Sequence, residues 1–253
     1  MSSLYQEAEN DKAVLRIYYD ETPEDPRNQD NLGTMICWHR RYYLGDEHRF
    51  TNSRDLMEYL VEETYNEEDL SDLIKNKIIY NKDSSYSIAG ESYNNLDDLL
   101  YDIDRYPFNF LSDEEVFNLA NKKTIILPLY LYDHSGITIS TSPFGCPWDS
   151  GQVGWIYITY PEIEEEYGEI TGKAIEKAEQ VLKNEVKIYD MYLMGDVYGY
   201  MLEEKKECNS CGHIDYKLVD SCWGFYGDEF SSYLKEYIPE KYYDLLESLK
   251  HVG

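Results

Sequence analysis

The sequence predicts an α+β fold in which antiparallel hairpins form a sheet and helices pack on one side of it. Two patterns indicate this class. Short runs rich in β-branched and aromatic residues are separated by Gly, Pro, Asn and Asp, as in hairpins. Other segments repeat apolar residues at three- and four-residue spacing behind Ser or Thr, as in capped amphipathic helices. With 253 residues, 42% of them apolar, the chain can bury a large core, so a single domain over residues 1–253 is expected.

The N-terminal half begins with a polar lead and then combines strands with helices. The two predicted strands are residues 13–20 and 34–38. Ser53 is a suitable N-cap for the helix that follows. Residues 67–120 are predicted to form an acidic insert of short helices, one of which begins with a capping box made by Ser112 and Glu115.

The C-terminal half is predicted to hold most of the sheet. Pro128 lies inside a nearly continuous apolar run, which favours an edge position or a bulge there. Thr171 is positioned to cap the clearest helix, and Gly195 to end it. The predicted strands are residues 124–132, 137–140, 153–159, 197–202 and 214–219, and two helices at about 229–236 and 239–250 complete the chain.

The charge balance bears most directly on function. Fifty acidic residues against 23 basic ones give a formal net charge of −27. Such a field repels free nucleic acid and anionic membranes, and it attracts basic surfaces, which belong mostly to proteins that handle DNA or RNA. The alternative is that the charge only keeps the protein soluble.

We expect the partner-binding carboxylates to lie on two acidic stretches, namely the insert and a short helix that begins near Pro161. On short helices with one buried face, the acidic side chains must crowd the outer face. The predicted partner-binding residues are Glu67, Glu68, Asp69, Asp97, Asp98, Glu162, Glu164, Glu165 and Glu166.

A basic cluster offers a second hypothesis. His39, Arg40, Arg41 and His48 are the densest group of basic residues, and arginine pairs bind phosphate in bidentate fashion. The cluster therefore predicts binding of a nucleic acid such as an RNA fragment, in spite of the net charge. The alternative is that the arginines neutralise neighbouring carboxylates.

The five cysteines are odd in number and scattered, which favours a reducing, intracellular setting over disulfides. Cys208 and Cys211 have the spacing of two ligands of one tetrahedral ion, and His213 or Cys222 would complete a structural zinc site. The alternative is a polar hairpin loop with unliganded thiols. No other cofactor is indicated.

A third hypothesis is hydrolase-type chemistry by His134, Cys146 and Asp149, on two loops at one end of the sheet. The loop around Cys146 is equally typical of a packed turn. Phosphate-binding glycine loops, zinc-protease helices and nucleophile elbows do not occur in the sequence. We therefore expect a binding protein rather than an enzyme. The polar N-terminus and the lack of a run of about 20 apolar residues predict no signal peptide and no membrane span.

Four segments resemble a family of uncharacterised phage and prophage accessory proteins. They are GTMICWHRRYYLGDEH (33–48), DHSGI (133–137), CPWDSGQVG (146–154) and DSCWGFYG (220–227). The resemblance covers most of the chain except the acidic insert, and it implies a phage that infects a low-GC bacterium. The resemblance implies no particular chemical activity.

By analogy, acidic phage accessory proteins of this size resemble inhibitors of host defence, including anti-restriction and anti-CRISPR proteins. The resemblance thus implies an inhibitor acting in the host cytoplasm on a defence ribonucleoprotein or nuclease, with a type III CRISPR effector as one candidate.

Overall fold

A computed structural model describes residues 3–227 and 230–251 of the chain. It confirms the α+β class, because helices occur together with antiparallel sheets. The fold divides into two compact units. Unit 1 contains the described residues up to Asn31, Tyr130–Gly151 and those from Asn184 onward, and unit 2 contains Leu32–Leu129 and Gln152–Lys183. The single-domain organisation stays a prediction.

The strands form three sheets. In chain order they are β1 (Leu4–Glu9), β2 (Ala13–Tyr19), β3 (Thr34–Cys37), β4 (Ile79–Tyr80), β5 (Tyr86–Ile88), β6 (Glu91–Tyr93), β7 (Thr124–Asp133), β8 (Ile137–Ser140), β9 (Ser150–Thr159), β10 (Val197–Glu207), β11 (Ile214–Tyr226) and β12 (Lys250–His251). The sheet orders are β11-β10-β2-β1-β12, β3-β9-β7-β8 and β4-β5-β6.

The helices fall mainly between these strands. They are α1 (Ser53–Thr64), α2 (Glu67–Lys75), α3 (Leu96–Arg105), α4 (Asp113–Ala120), α5 (Tyr160–Tyr167), α6 (Gly172–Met194), α7 (Phe230–Tyr237) and α8 (Tyr243–Ser248), with 3₁₀ helices at Pro26–Asn28, Pro107–Phe110 and Glu240–Tyr242. None of the described helices is both long and apolar enough to span a membrane. The start of the first C-terminal helix, predicted at residue 229, lies outside the described residues.

Unit 1 is built on the five-stranded sheet. Leu15 and Tyr200 of the sheet pack with Leu234 and Leu245 of the C-terminal helices in one buried cluster. The polar lead expected at residues 1–12 is wrong in part, since β1 pairs with β2 along its length. Only Ala8 of β1 is buried, so backbone pairing rather than an apolar pattern makes this strand.

Unit 2 holds the helices α1 to α5 and their core. The stretch 67–120 contributes Leu70, Ile74, Leu99 and Val116 to that core, all nearly or fully buried. The expectation of helices alone in this stretch is wrong, because β4, β5 and β6 form a small antiparallel sheet. Asn, Ser and Gly are frequent between these strands and supply the turns.

The structure confirms most of the helix starts that local sequence signals predicted. The capping box of Ser112 and Glu115 is present, and Thr171 caps α6 through a hydrogen bond that its hydroxyl accepts from Ala174 N–H at 3.3 Å. At the start of α1 the prediction was off by one residue. Asn52 rather than Ser53 is the N-cap, and its side chain accepts from Asp55 N–H.

Candidate functional site

The carboxylates predicted to bind a partner are all exposed, and all belong to unit 2. Within the described part of the chain none of the nine forms an ion pair with Lys, Arg or His. Other acidic residues of the unit do so: Lys77 pairs with Glu115 at 2.6 Å, and Lys75 with Asp104 at 3.0 Å. A hydrogen bond from Ser71, together with Lys75, holds the pKa of Asp104 below its usual range. The nine predicted carboxylates therefore remain accessible to an external cation.

Six of the nine carboxylates have a role in their own helix. Glu67, Glu68 and Asp69 occupy the first turn of α2, and Asp97 and Asp98 the first turn of α3, where negative charge stabilises the positive end of the helix dipole. Glu162 completes a capping box with Thr159 at the start of α5. Helix stability alone explains these six residues.

Glu164, Glu165 and Glu166 differ from the other six because of where they lie. They form the end of α5, which closes on Gly168 in the left-handed conformation (φ 77°). Negative charges at this end oppose the helix dipole, and Glu166 lies four residues after the like-charged Glu162. We call these three residues the α5 acidic end. Folding gives no reason for its charge.

The predicted basic cluster lies in the loop 38–50, between β3 and α1. Gly45 holds the loop against β3: its φ is +71°, and a Cβ at this position would lie 2.5 Å from the Met35 carbonyl oxygen. The Asp46 carboxylate accepts a hydrogen bond from Met35 N–H at 2.7 Å. Trp38 donates its indole N–H to Phe50 O at 2.9 Å, which closes the loop.

His48 anchors this loop. Its Nε2 lies 2.9 Å from the Cys37 carbonyl oxygen, and since a carbonyl only accepts, Nε2 carries the proton. The other ring nitrogen, Nδ1, is buried and has no hydrogen-bond partner among the described residues. His48 therefore positions the loop through its contact with Cys37.

Three arginines of the loop are exposed. Arg40 and Arg49 are exposed and have no ion pair within the described residues, and Arg41 lies over the Tyr42 ring at 5.5 Å. The Tyr42 ring also stacks on His39, with ring centroids 4.9 Å apart. Sequence reasoning omitted Arg49, although it directly follows His48.

Two concave surfaces meet at this loop. One of about 830 Å³ is lined by the loop residues from Cys37 to His48, with the exception of Arg41. The other, of about 510 Å³, shares Glu47 and His48 with it and includes Tyr59 and Tyr157. Burial raises the pKa of Tyr157 to about 12. Tyr43, on the first surface, is fully exposed, so its ring is free to stack on a ligand.

The structure brings together His134, Cys146 and Asp149 in unit 1, but in an order unsuited to nucleophilic catalysis. The Asp149 carboxylate lies 3.5 Å from His134 Nδ1 and 3.6 Å from Cys146 Sγ. A nucleophilic thiol needs the base beside it and the carboxylate behind the base. Here the carboxylate stands between the thiol and the imidazole, so the thiol donates to the carboxylate and not to the imidazole.

The predicted zinc ligands divide between the two ends of a β-ribbon. Cys208, Cys211 and His213 lie in the turn between β10 and β11, where Cys208 N–H donates to His213 O at 2.7 Å. Hydrogen bonds from Ser210 N–H and from the Cys211 thiol lower the pKa of Cys208. Cys222 pairs with Tyr200. Tyr200 lies seven residues before Glu207, where the turn begins, so Cys222 is roughly 23 Å from the turn.

This separation is too large for Cys222 to share one ion with the turn. Zinc binding stays a prediction, and the predicted ligands are now only Cys208, Cys211 and His213. No group of three or more His, Cys, Asp and Glu side chains within residues 3–227 and 230–251 is arranged to hold a metal ion.

No protein-family model matches the chain, and no curated protein or solved structure is significantly similar to it.

Proposed function

We propose that this chain is a non-enzymatic, phage-encoded inhibitor that docks its carboxylates on a basic, nucleic-acid-handling surface of a host defence complex. The observation that carries the proposal is the α5 acidic end, formed by Glu164, Glu165 and Glu166. These side chains are exposed, have no ion pair in the described part of the chain, and sit at the helix end that disfavours them. Contact with a cationic partner would offset the unfavourable interaction of these carboxylates with the helix dipole.

The partner class follows from the charge. A net charge of −27 attracts cationic surfaces and repels free nucleic acid. The channels in which nucleases and ribonucleoproteins hold their own nucleic acid are cationic surfaces of this kind. A type III CRISPR effector complex in the host cytoplasm is the target that the implied low-GC host favours. The order of His134, Asp149 and Cys146 supports a role without catalysis.

The salt dependence of binding tests this mechanism. The association rate with a purified type III effector complex, measured by stopped-flow or surface plasmon resonance, is expected to fall at least about tenfold between low and high salt, because steering between exposed charges is screened. The dissociation rate is expected to change less. Association that is equally fast at both salt concentrations would contradict electrostatic docking.

The loop 38–50 supports a second candidate, which is binding of a single-stranded nucleic acid such as an RNA fragment. The specific observation is the concave surface that combines Arg40 with the fully exposed ring of Tyr43. Cations that contact phosphates and aromatic rings that stack on bases are the usual parts of such sites. Asp46 and Glu47 line the same surface and weaken it for an anion.

Replacing Arg40 and Arg41 by Ala tests the second candidate. If they contact two phosphates, the slope of log affinity against log salt for a short labelled RNA falls by about 1.4. Fluorescence anisotropy measures this slope. Lys82→Ala/Arg105→Ala is the matched control, since it also removes two positive charges and both residues are exposed in the same unit outside the loop 38–50. Equal slopes for the double variant and the control would exclude this loop as the binding site.

A further inference from the structure

We propose that the outer edge of β11 pairs with the same edge of a second copy of this chain, in an antiparallel arrangement centred on Tyr216. The proposal goes beyond the docking function, because it uses unit 1 and a different surface. It rests on an open strand edge, on the direction of the backbone groups along it, and on a charge pattern that complements itself.

Among the strands of the described residues, β11 is an open edge. It ends the five-stranded sheet, and its neighbour on the inner side is β10. Residues 211–219 are all exposed. Pairing with β10 is regular from Ile214 to Leu218, and the register shifts beyond that point, opposite Leu202 and Glu203. The regular part thus offers five residues to an incoming strand.

The backbone groups that point outward can be identified. Lys205 N–H donates to Lys12 O, on the side away from β11, so the pair of Lys205 and Tyr216 is not hydrogen-bonded. Cys208 N–H donates to His213 O, which is the alternate, hydrogen-bonded position. The N–H and C=O groups of Ile214, Tyr216 and Leu218 therefore face the free edge.

An antiparallel copy centred on Tyr216 satisfies all of these groups. It places Tyr216 opposite the partner's Tyr216, and Ile214 opposite the partner's Leu218, so that outward groups meet outward groups. The exposed apolar side chains of these three residues, between 42% and 50% exposed, line one face of the joined sheet. The two-fold symmetry makes the interface self-complementary.

Charge selects this register. On the opposite face of β11, Asp215 meets the partner's Lys217, and Lys217 meets the partner's Asp215. A shift of the centre to Asp215 would oppose two aspartates, and a shift to Lys217 would oppose two lysines. Charged side chains on an edge strand usually discourage pairing, but in this register the opposite charges of Asp215 and Lys217 face each other across the two-fold axis.

A charge-swap series tests the proposal on the full chain. Sedimentation velocity between about 1 and 200 µM protein should show a concentration-dependent dimer, and more of it at higher salt, because the net charge of −27 on each copy is then screened. Lys217→Asp opposes two pairs of aspartates and should weaken the dimer at least about tenfold. Asp215→Lys should do the same with lysines.

The combined variant Asp215→Lys/Lys217→Asp restores both ion pairs with the composition of the natural strand, so its dimer should return. Circular dichroism shows whether each variant is folded, and the single and combined variants share the same solvent-exposed positions. A dimer that survives Lys217→Asp, or that the combined variant fails to restore, overturns the proposal. So does a chain that stays monomeric at both salt concentrations, in which case an extended segment of another protein is the occupant to test.

Discussion

Replacing Glu164, Glu165 and Glu166 by Gln is expected to slow association with the effector complex by about tenfold, because electrostatic steering accounts for rate factors of about 10 to 1,000. The same variant is expected to fold slightly more stably, since each carboxylate opposes the helix dipole at the end of α5. Stopped-flow binding and urea denaturation measure the two effects. Their opposite signs separate a binding role from a folding role.

A matched variant controls for net charge. Glu236, Glu240 and Glu247 are exposed residues of unit 1 that form no ion pair within the described residues. Replacing them by Gln removes the same three charges from a different surface. If both triple variants slow association equally, the total charge matters and the α5 acidic end has no specific role.

The largest effect on stability is expected for Gly154→Ala. Gly154 lies on β9 opposite Cys37 of β3. A Cβ at this position would overlap the carbonyl oxygen of Ile36 and lie 2.9 Å from Cys37 Cα. Both are backbone atoms, which no side-chain rotation can move. The strands must therefore separate, and we expect the free energy of unfolding to fall by about 3 kcal/mol or more.

Gly151→Ala is the control for this substitution. Gly151 lies on the same strand, and a Cβ there would meet nothing within 4 Å. Urea denaturation should give nearly the natural midpoint for this variant and a much lower one for Gly154→Ala. Equal midpoints for the two variants would show that β3 and β9 do not approach as closely as described.

The parts of the fold that the sequence predicted correctly depend on neighbouring residues. The capping box at Ser112 and the cap at Thr171 are local hydrogen bonds between residues three positions apart. The strand predicted at residues 124–132 is present as β7, because a long apolar run favours a buried strand. The pairing of β7 with β8 begins at Tyr130, so Pro128 lies in a part of β7 that is not paired with β8.

The parts that it missed depend on distant pairing. β1 has little apolar signal and exists because β2 and β12 pair with it, the latter from the other end of the chain. The distance of Cys222 from the ribbon turn likewise follows from the register of β10 and β11. Neither can be read from spacing along one segment.

The candidate site was only partly predictable for the same reason. The acidic residues of α2, α3 and α5 were expected to be exposed, and they are. Six of them stabilise their own helices and three do not, and this division can be made only when the first and last residue of each helix are known. In the basic loop, the pattern of charges identified Arg40 and Arg41, but the anchoring role of His48 depends on its contact with Cys37 of β3.

The salt dependence of association, compared between the natural chain and Glu164→Gln/Glu165→Gln/Glu166→Gln, tests the central claim most directly. If these carboxylates meet a cationic surface of the effector complex, the logarithm of the association rate falls more steeply with salt for the natural chain than for the variant. Two parallel salt dependences with equal rates would contradict the claim, because the α5 acidic end would then play no part in docking.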